Sequence, residues 1–321
     1  MSKITDEPSI AHSIFSDKDL ATHISSIYNL SVTNCQLVKP LVSTTYEVST
    51  SENKYILRIY PHCHSTPFIS SELDALLSIH QNGLNVSIPL PSSNGRYIVP
   101  IMAPEGQRQM VLFSFAEGIP LSREKNEIYF REFGRLVGSI HTVFDGQTVS
   151  LSRPLLDKAV LIQEPLEHIS KLYLRYVDEL QFLNKVAESI TFQLETLSRK
   201  NLHYGFCHGD LNSFNVHVNR KGLLTLFDFE YCGLGWHAYD LATFINTETS
   251  VHIDLFLQGY QDIRPLTDEE KHFIPIFQIV QKIWMLGAGA RVMHTMGTFM
   301  FTERLLKSTL DNIRNYQELL E

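Results

Sequence analysis

The alternation of hydrophobic and polar residues predicts different elements along the chain. Lys54 to Tyr60 (KYILRIY) alternates from one residue to the next, which predicts a β-strand. A polar turn separates it from Thr45 to Val48, so the two stretches are expected to form a hairpin. Because successive side chains of a strand point to opposite faces, Arg58 is expected on the other face from Leu57 and Ile59.

A helix is predicted after this hairpin. Apolar residues recur at helical spacing up to Gln81, Ser70 or Ser71 is the expected cap, and Gly83 is expected to end the helix. Two more short strands are predicted, at 97–100 and 110–115. The first part of the chain is therefore expected to mix strands with helix.

Beyond residues 115–121 (FAEGIPL), an aperiodic stretch typical of a boundary, the pattern becomes mostly helical. Helices are predicted at Glu127–Val143, Leu172–Ser198, Tyr239–Ile245, Glu269–His294 and Glu303–Leu320. A single hairpin, 216–218 with 223–227, has Gly222 in its turn. The sequence thus predicts an α+β fold, with a small antiparallel-sheet lobe (1–113), a larger mainly helical lobe (114–321) and a ligand-binding cleft between them.

Composition and charge exclude some classes of protein. The chain has 27 basic and 35 acidic residues, a net charge of −8, so general binding of nucleic acid is not expected. The four cysteines show no metal-ligand spacing and are expected to be free thiols. The start, MSKITDEPSI, is unlike a secretory signal, and Pro275 and Gln278 interrupt the best apolar run, 273–280. A soluble cytoplasmic protein with no membrane partner is expected.

The residues that suggest chemistry cluster between Cys207 and Leu241. Asp210 and Asn215 share one loop, and the predicted hairpin that follows ends on Asp228. Amide and carboxylate oxygens suit Mg²⁺ held against phosphates, and a separate carboxylate can accept a proton from an attacking hydroxyl. These are the groups that phosphoryl transfer from ATP requires.

Each of these residues also has an ordinary structural interpretation. An Asp in a His-Gly-Asp turn usually caps, Asn215 can be a turn residue, and Asp228 can be a buried, hydrogen-bonded carboxylate. The combined spacing is more specific than any one of them. A loop H-x-D-x-x-x-x-N, a hairpin and then Asp-Phe follow the order of the catalytic and metal-binding loops of kinases.

Residues 208–215, 227–230 and 240–242 resemble the aminoglycoside phosphotransferase and choline kinase superfamily, whose signature is HGDxxxxN, a hydrophobic-Asp-Phe step and Asp-Leu-Ala. Homoserine kinases and a bacterial stress-response protein kinase belong to the same superfamily. The resemblance extends from about Leu37 to the last helix. It implies a two-lobed, protein-kinase-like fold that uses ATP and Mg²⁺.

The resemblance also implies roles for residues in the larger lobe. Asp210 corresponds to the catalytic base, and Asn215 and Asp228 correspond to the metal ligands. Asp240 corresponds to a residue that orients the catalytic loop and does not itself react.

Four residues in the first part of the chain are implied to bind nucleotide. Arg58 stands where the family has a phosphate-binding cation, and Glu72 resembles the acid that pairs with it. The Ser114 carbonyl and the Ala116 amide are expected to bind adenine. The nucleotide loop would be 41–45 (LVSTT), which lacks the glycines common there.

The leading hypothesis is an ATP- and Mg²⁺-dependent kinase that phosphorylates a hydroxyl of a small, amino-bearing molecule, such as an aminoglycoside, homoserine or a choline-like compound. The stretch FGRLVGSIH also resembles the stress-response kinase, so Ser/Thr protein phosphorylation is an alternative. A pseudokinase that only binds is a second alternative, suggested by the glycine-poor loop. The intact Asp210, Asn215 and Asp228 argue against it.

Overall fold

A computed structural model describes residues 10–145, 152–196, 202–296 and 303–316. The polar first segment, 1–9, lies outside the described residues. Contacts divide the chain into two compact units, the first made of Met1–Leu73 and Ile88–Phe115 and the second of Asp74–Ser87 and Ala116–Glu321.

The first unit contains a six-stranded antiparallel sheet. Its elements, in chain order, are α1 (Asp17–Tyr28), β1 (Asn34–Pro40), β2 (Thr44–Ser49), β3 (Lys54–Ile59), the first part of α2 (Thr66–Gln81), β4 (Pro89–Leu90), β5 (Val99–Ala103) and β6 (Gly106–Ser114). The strands pair in the order β1-β2-β3-β6-β4, and β5 also pairs with β6. The predicted hairpin of β2 and β3 is confirmed.

One face of this sheet packs into an apolar core. Leu57 and Ile59 are buried there, as their alternation with Arg58 predicts. The core is completed by Leu20 and Ile24 of α1. Neither α1 nor β1 was expected from the sequence.

Helix α2 begins earlier than predicted. It starts at Thr66, because the Ser65 hydroxyl accepts a hydrogen bond from the Phe68 amide at 3.4 Å and Pro67 suits the first turn. Ser70 and Ser71 therefore lie inside the helix. The predicted end is confirmed, since Gly83 adopts a φ of +79° just beyond it.

The second unit is mainly helical. Its further elements are β7 (Ile119–Pro120), α3 (Ile128–Val143), α4 (Glu164–Leu172), α5 (Val177–Thr196), β8 (Tyr204–Cys207), β9 (Val216–Val218), β10 (Leu224–Leu226), β11 (Gly233–Trp236), α6 (His237–Ile245), α7 (Ser250–Ile263), α8 (Asp268–Met296) and α9 (Glu303–Arg314). The strands form two small sheets, β10-β9-β7 and β11-β8.

The helix expected at Leu172–Ser198 needs correction. It begins only at Val177, and the preceding helix α4, which the sequence did not predict, ends at Leu172. Residues 197 and 198 lie outside the described part of the chain, as do 317–320 of the helix expected at Glu303–Leu320. Helix α7 was not expected from the sequence.

Helix α8 continues through Pro275, in agreement with the helix predicted at Glu269–His294. Its residues Asp268–Met293 are long and apolar enough to cross a membrane by length and composition alone. However, 61% of the most apolar stretch is buried inside the protein, and the helix packs against α4 and α6. These contacts are those of a core helix in a globular unit.

Helices α3 and α7 cross at two glycines. A Cβ atom added to Gly134 would collide with the Phe256 carbonyl oxygen, and one added to Gly259 would collide with the Arg131 carbonyl oxygen. The backbones can approach this closely only because neither glycine has a side chain. The separation of the two helices is thus fixed by main-chain contact.

Candidate active site

The loop between β8 and β9 is held from one side by Asp240 of α6. The Asp240 carboxylate accepts hydrogen bonds from the main-chain amides of His208 at 2.6 Å and Gly209 at 2.9 Å. Asp240 is fully buried. Charge-assisted bonds of this length in a buried environment are strong, so the first half of the loop is fixed to α6.

His141 of α3 supports Asp240. Its Nε2 lies 3.1 Å from the Asp240 carboxylate, and its Nδ1 lies 2.9 Å from the Tyr260 hydroxyl. A carboxylate can only accept, so Nε2 of His141 donates to Asp240. Both ring nitrogens of His141 therefore have buried partners.

His208 adds a second connection within the loop. Its Nε2 donates to the Phe227 carbonyl at 2.9 Å, and its Nδ1 accepts from the Asp210 amide at 3.2 Å. Both ring nitrogens are therefore engaged by main-chain groups, and His208 is a structural residue of the loop.

Two carboxamides hold the Asp210 carboxylate. The Asn212 side chain donates to Oδ1 at 3.3 Å, and the Asn215 side chain donates to Oδ2 at 3.1 Å. Each also donates to the Asp210 carbonyl at 3.0 Å. Asn212 was not singled out in the sequence, where an Asn two residues after an Asp in a turn has no distinctive pattern. Its position inside the HGDxxxxN motif was the one available signal.

Asp228 lies at the end of the hairpin nearest Asn215. The Phe227 amide donates to the Asn215 carbonyl at 2.9 Å, so the two segments are adjacent in the main chain. Asp228 adopts a left-handed conformation with φ +64° and ψ +54°, which is uncommon for residues other than glycine and is concentrated at functional sites. Amide and carboxylate oxygens at this place are chemically suited to Mg²⁺.

In the first unit, Arg58 and Glu72 form the ion pair that the resemblance implies, and the pair is buried. An Arg58 guanidinium nitrogen lies 2.7 Å from a Glu72 carboxylate oxygen, and the Tyr60 hydroxyl donates to the other oxygen at 3.1 Å. The two charged side chains are 9% and 1% exposed. The pairing is thus a buried ion pair with additional hydrogen bonding.

The loop expected to contact nucleotide phosphates is shorter than predicted. Only residues 41–43 separate β1 from β2, and Thr44 belongs to β2.

The Thr44 hydroxyl accepts a hydrogen bond from the guanidinium of the buried Arg108 at 3.0 Å. Arg108 also donates to the Tyr60, Ile59 and Ser13 carbonyls. Burial lowers the pKa of Arg108, and these acceptors take the place of water around its charge.

The two residues expected to bind adenine each make hydrogen bonds within their own unit. The Ser114 amide donates to the Ile88 carbonyl at 2.9 Å, and the Ser114 hydroxyl accepts from the Ile88 amide at 2.9 Å. The Ala116 carbonyl accepts from Nδ1 of His217 at 2.7 Å.

Tyr231 adjoins the loop between β8 and β9. Gly209 has a φ of +84°, and a Cβ added there would collide with the Tyr231 carbonyl and lie 3.2 Å from the Tyr231 Cβ. The Tyr231 ring meets the Trp284 ring of α8 edge-on, with centroids 4.7 Å apart. Burial and the neighbouring Glu230 raise the pKa of Tyr231. Tyr231 is therefore a neutral phenol next to the residue that precedes Asp210.

His141, Cys207 and His237 bring potential metal ligands together but are not arranged to hold an ion. The two imidazoles stack with centroids 3.9 Å apart and an interplanar angle of 10°. Lone pairs in parallel stacked rings cannot converge on one metal, and both nitrogens of His141 already have partners. Burial lowers the pKa of His237 and raises that of Cys207, so both stay neutral.

The chain matches a known family of phosphotransferases. The model of the phosphotransferase enzyme family (APH) matches residues 37–270, more than half of the chain.

Several curated relatives are similar over most of the chain. An uncharacterised protein of Synechocystis sp. is 28% identical over 85% of this chain and 77% of its own. Amicoumacin kinase of Bacillus subtilis is 26% identical over 71% of this chain and 67% of its own. Homoserine kinase of Rhizobium meliloti is 27% identical over 73% of this chain and 71% of its own.

Solved structures share the fold over nearly the whole length. An amicoumacin kinase in complex with AMP-PNP, Ca²⁺ and Ami has a TM-score of 0.76 and 20% identity, covering 94% of this chain and 93% of that one. A microcompartment-associated aminopropanol kinase has a TM-score of 0.76 and 21% identity, covering 95% and 98%. The kinase-like fold expected from the sequence is confirmed.

Proposed function

The chain belongs to the phosphotransferase enzyme family (APH), and from that premise we propose that it is an ATP- and Mg²⁺-dependent kinase of a small, amino-bearing alcohol. One observation carries the proposal: the Asp210 carboxylate is held by two carboxamides in a loop whose amides are fixed by Asp240. An enzyme that positions a carboxylate so firmly can use it to orient and deprotonate a hydroxyl. With ATP as phosphate donor, the activity belongs in the cytoplasm.

Asp210 is the proposed base. Each of its carboxylate oxygens accepts one N–H bond from a side chain, and in the proposed role the carboxylate also accepts a hydrogen bond from the acceptor hydroxyl. As the hydroxyl oxygen bonds to the γ-phosphorus and the bond to the leaving ADP oxygen breaks, the hydroxyl proton passes to Asp210. Catalysis of this kind depends mainly on positioning.

Asn215 and Asp228 are the proposed metal ligands. Because Asn215 donates through Nδ2 to Asp210, its Oδ1 remains as the oxygen donor for a cation. When bound, Mg²⁺ neutralises negative charge on the phosphates. The chain's contribution is to hold these two oxygen donors at adjacent main-chain positions.

Arg58 is the proposed phosphate ligand. Glu72 and the Tyr60 hydroxyl fix its environment, so the guanidinium is held ready with little further loss of side-chain freedom. The Ser114 carbonyl and the Ala116 amide are proposed to bind adenine. These two contacts use main-chain groups only.

A small acceptor is supported by the relatives and by the loop's surroundings. The relatives include kinases named for amicoumacin, homoserine and aminopropanol. The main chain and Cβ of Tyr231 lie against Gly209, which precedes Asp210, and the Tyr231 ring meets Trp284; we propose that this pair borders the acceptor site. Aromatic rings can contact both the apolar skeleton and the ammonium group of an amino alcohol.

An acceptor screen tests the proposal. ADP release would be measured with ATP and Mg²⁺ in the presence of amino alcohols, homoserine, aminoglycosides or a general protein substrate, with a no-acceptor control and the Asp210→Asn variant. We expect ADP release that requires a small amine-bearing alcohol and is lost in the variant. Phosphate transfer to protein without a response to any small amine would instead indicate a protein kinase, and no transfer to any acceptor would indicate a pseudokinase.

A further inference from the structure

The loop 208–215, which carries the proposed base, has a second attachment. It lies beyond Asp210 along the chain, whereas Asp240 holds the residues before Asp210. Ser213 is fully buried, and its hydroxyl donates to Oε1 of Glu248. Its carbonyl accepts from the Ser122 amide at 3.2 Å. Glu248 lies immediately before the capping residue of α7, Thr249.

Glu248 is itself held on its other oxygen. Its Oε2 lies 3.0 Å from Nδ1 of His252, one turn into α7, and the Glu248 side chain is only 6% exposed. The His252 ring stacks on Phe130 of α3, with centroids 3.7 Å apart and an interplanar angle of 9°. The Glu248 carboxylate is therefore fixed by contacts with α7 and, through His252, with α3, in addition to its bond to the loop.

The two attachments flank the proposed base. Asp240 holds the amides of His208 and Gly209, just before Asp210, and Glu248 holds the side chain of Ser213, three residues after it. The Asn212 and Asn215 amides that bind the Asp210 carboxylate lie on either side of Ser213. The bond between Ser213 and Glu248 therefore ties the segment that carries these amides to the start of α7.

We propose that Glu248 is a positioning residue for phosphoryl transfer: through Ser213 it fixes the second half of the catalytic loop, so that Asn212 and Asn215 keep Asp210 in one orientation. The inference rests on the proposed function. In this role the carboxylate of Glu248 is bonded to Ser213 and His252, and its effect on the reaction is transmitted through the loop. Small displacements of a reacting group are costly, because a shift of about 1 Å can reduce the rate about 10²-fold.

Paired variants test this role. Glu248→Ala and Ser213→Ala each remove one side of the same contact, and Glu248→Gln keeps an oxygen that can accept from Ser213. We expect the two alanine variants to lower kcat by about 10- to 100-fold with KM values for ATP and acceptor changed less than about threefold. Glu248→Gln should recover most of the rate. The double alanine variant should be no slower than the slower single variant, because both remove one interaction.

Asp254→Ala is the matched control, since Asp254 is an exposed acid on the same helix. Equal effects of Glu248→Ala and Asp254→Ala, or additive losses in the double variant, would overturn the proposal. If Glu248→Ala fails to fold, Ser213→Ala, which removes a single hydroxyl, decides the question.

A second measurement does not depend on turnover. Hydrogen–deuterium exchange of the amides in 208–215 should be faster in both alanine variants than in wild type and should return toward wild type in Glu248→Gln. Unchanged exchange in all three variants would overturn the positioning role even if the acceptor screen succeeds. If exchange is faster in the alanine variants but the wild type has no kinase activity, the bond between Ser213 and Glu248 still fixes the loop, and the proposed function is wrong.

Discussion

The side-chain amide of Asn215 donates to both the carboxylate of Asp210, at 3.1 Å, and its carbonyl, at 3.0 Å. The side-chain amide of Asn212 donates to the other carboxylate oxygen of Asp210, at 3.3 Å, and also to its carbonyl, at 3.0 Å. The two asparagines are thus equivalent toward the proposed base. They differ in that only Asn215 is adjacent to the segment that carries Asp228.

This difference gives a first prediction. Asn212→Ala should lower kcat about 10- to 100-fold, the effect of losing a hydrogen bond to a charged group, and should leave the Mg²⁺ requirement unchanged. Asn215→Ala should lower kcat at least as much and also raise the Mg²⁺ concentration needed for half-maximal rate. Titration of activity with Mg²⁺ separates the two outcomes. An unchanged Mg²⁺ midpoint in Asn215→Ala would remove Asn215 from the metal site.

Replacing the proposed base should separate chemistry from binding. Asp210→Asn keeps the shape of the side chain but cannot accept the proton, so turnover should fall about 10²- to 10⁴-fold. Nucleotide affinity should stay near wild type, whereas Asp228→Ala should abolish metal-dependent nucleotide binding. Calorimetric titration with a non-hydrolysable ATP analogue, with and without Mg²⁺, measures both. Near wild-type turnover in Asp210→Asn would assign the base to another residue.

The buried pair of Arg58 and Glu72 predicts opposite results for single and double variants. Glu72→Ala leaves a guanidinium that is 9% exposed without its carboxylate, so the free energy of unfolding should fall by about 3–5 kcal/mol. Replacing both residues by methionine should restore most of that stability, because no buried charge remains. ATP affinity should not be restored. Equilibrium unfolding in urea and the KM for ATP check the two parts, and wild-type KM in the double variant would show that Arg58 does not bind phosphate.

His237 predicts part of the pH dependence of stability. Burial holds its pKa well below the ordinary value of 6.5, whereas in the unfolded chain it takes up a proton near that pH. The unfolded state therefore binds more protons in acid, and stability is present above pH 6.5 and lost as pH falls below it, by at most about 1.4 kcal/mol per pH unit for one group.

His237→Phe should consequently lose less stability than wild type between about pH 7.5 and 5.5. Thermal unfolding across this range is the measurement, and His62→Gln, at an exposed histidine, is the control. Parallel stability curves for His237→Phe and wild type would show that His237 is not buried in its neutral form.

The sequence could predict those parts of the site that are close along the chain. Asp210, Asn215 and Asp228 share a loop and the hairpin after it, so their spacing alone brings them near one another. Arg58 and Glu72 are separated by one strand end and the first turns of α2. The pairing of these two followed from resemblance, and the structure shows the contact directly.

The contacts that fix the loop were not predictable in the same way. His141 meets Asp240 across 99 residues, and Ser213 meets Glu248 across 35. Neither pair has a periodic pattern, because periodicity reports which face of an element is buried and not which residue it will meet. Helix α5 was expected to begin at Leu172 but begins at Val177, because Tyr173 to Tyr176 is mostly apolar in character and nothing in the hydrophobic pattern marks the end of α4.

The close crossing of α3 and α7 at Gly134 and Gly259 links substitutions far from the proposed base to its position. Helix α3 supplies His141 to one loop attachment and Phe130 to the other, and α7 supplies Tyr260 and His252 to the same two places. The separation of α3 and α7 therefore sets the position of both attachments around Asp210. A methyl group added at Gly134 or Gly259 would force the two helices apart, so both attachments would shift together.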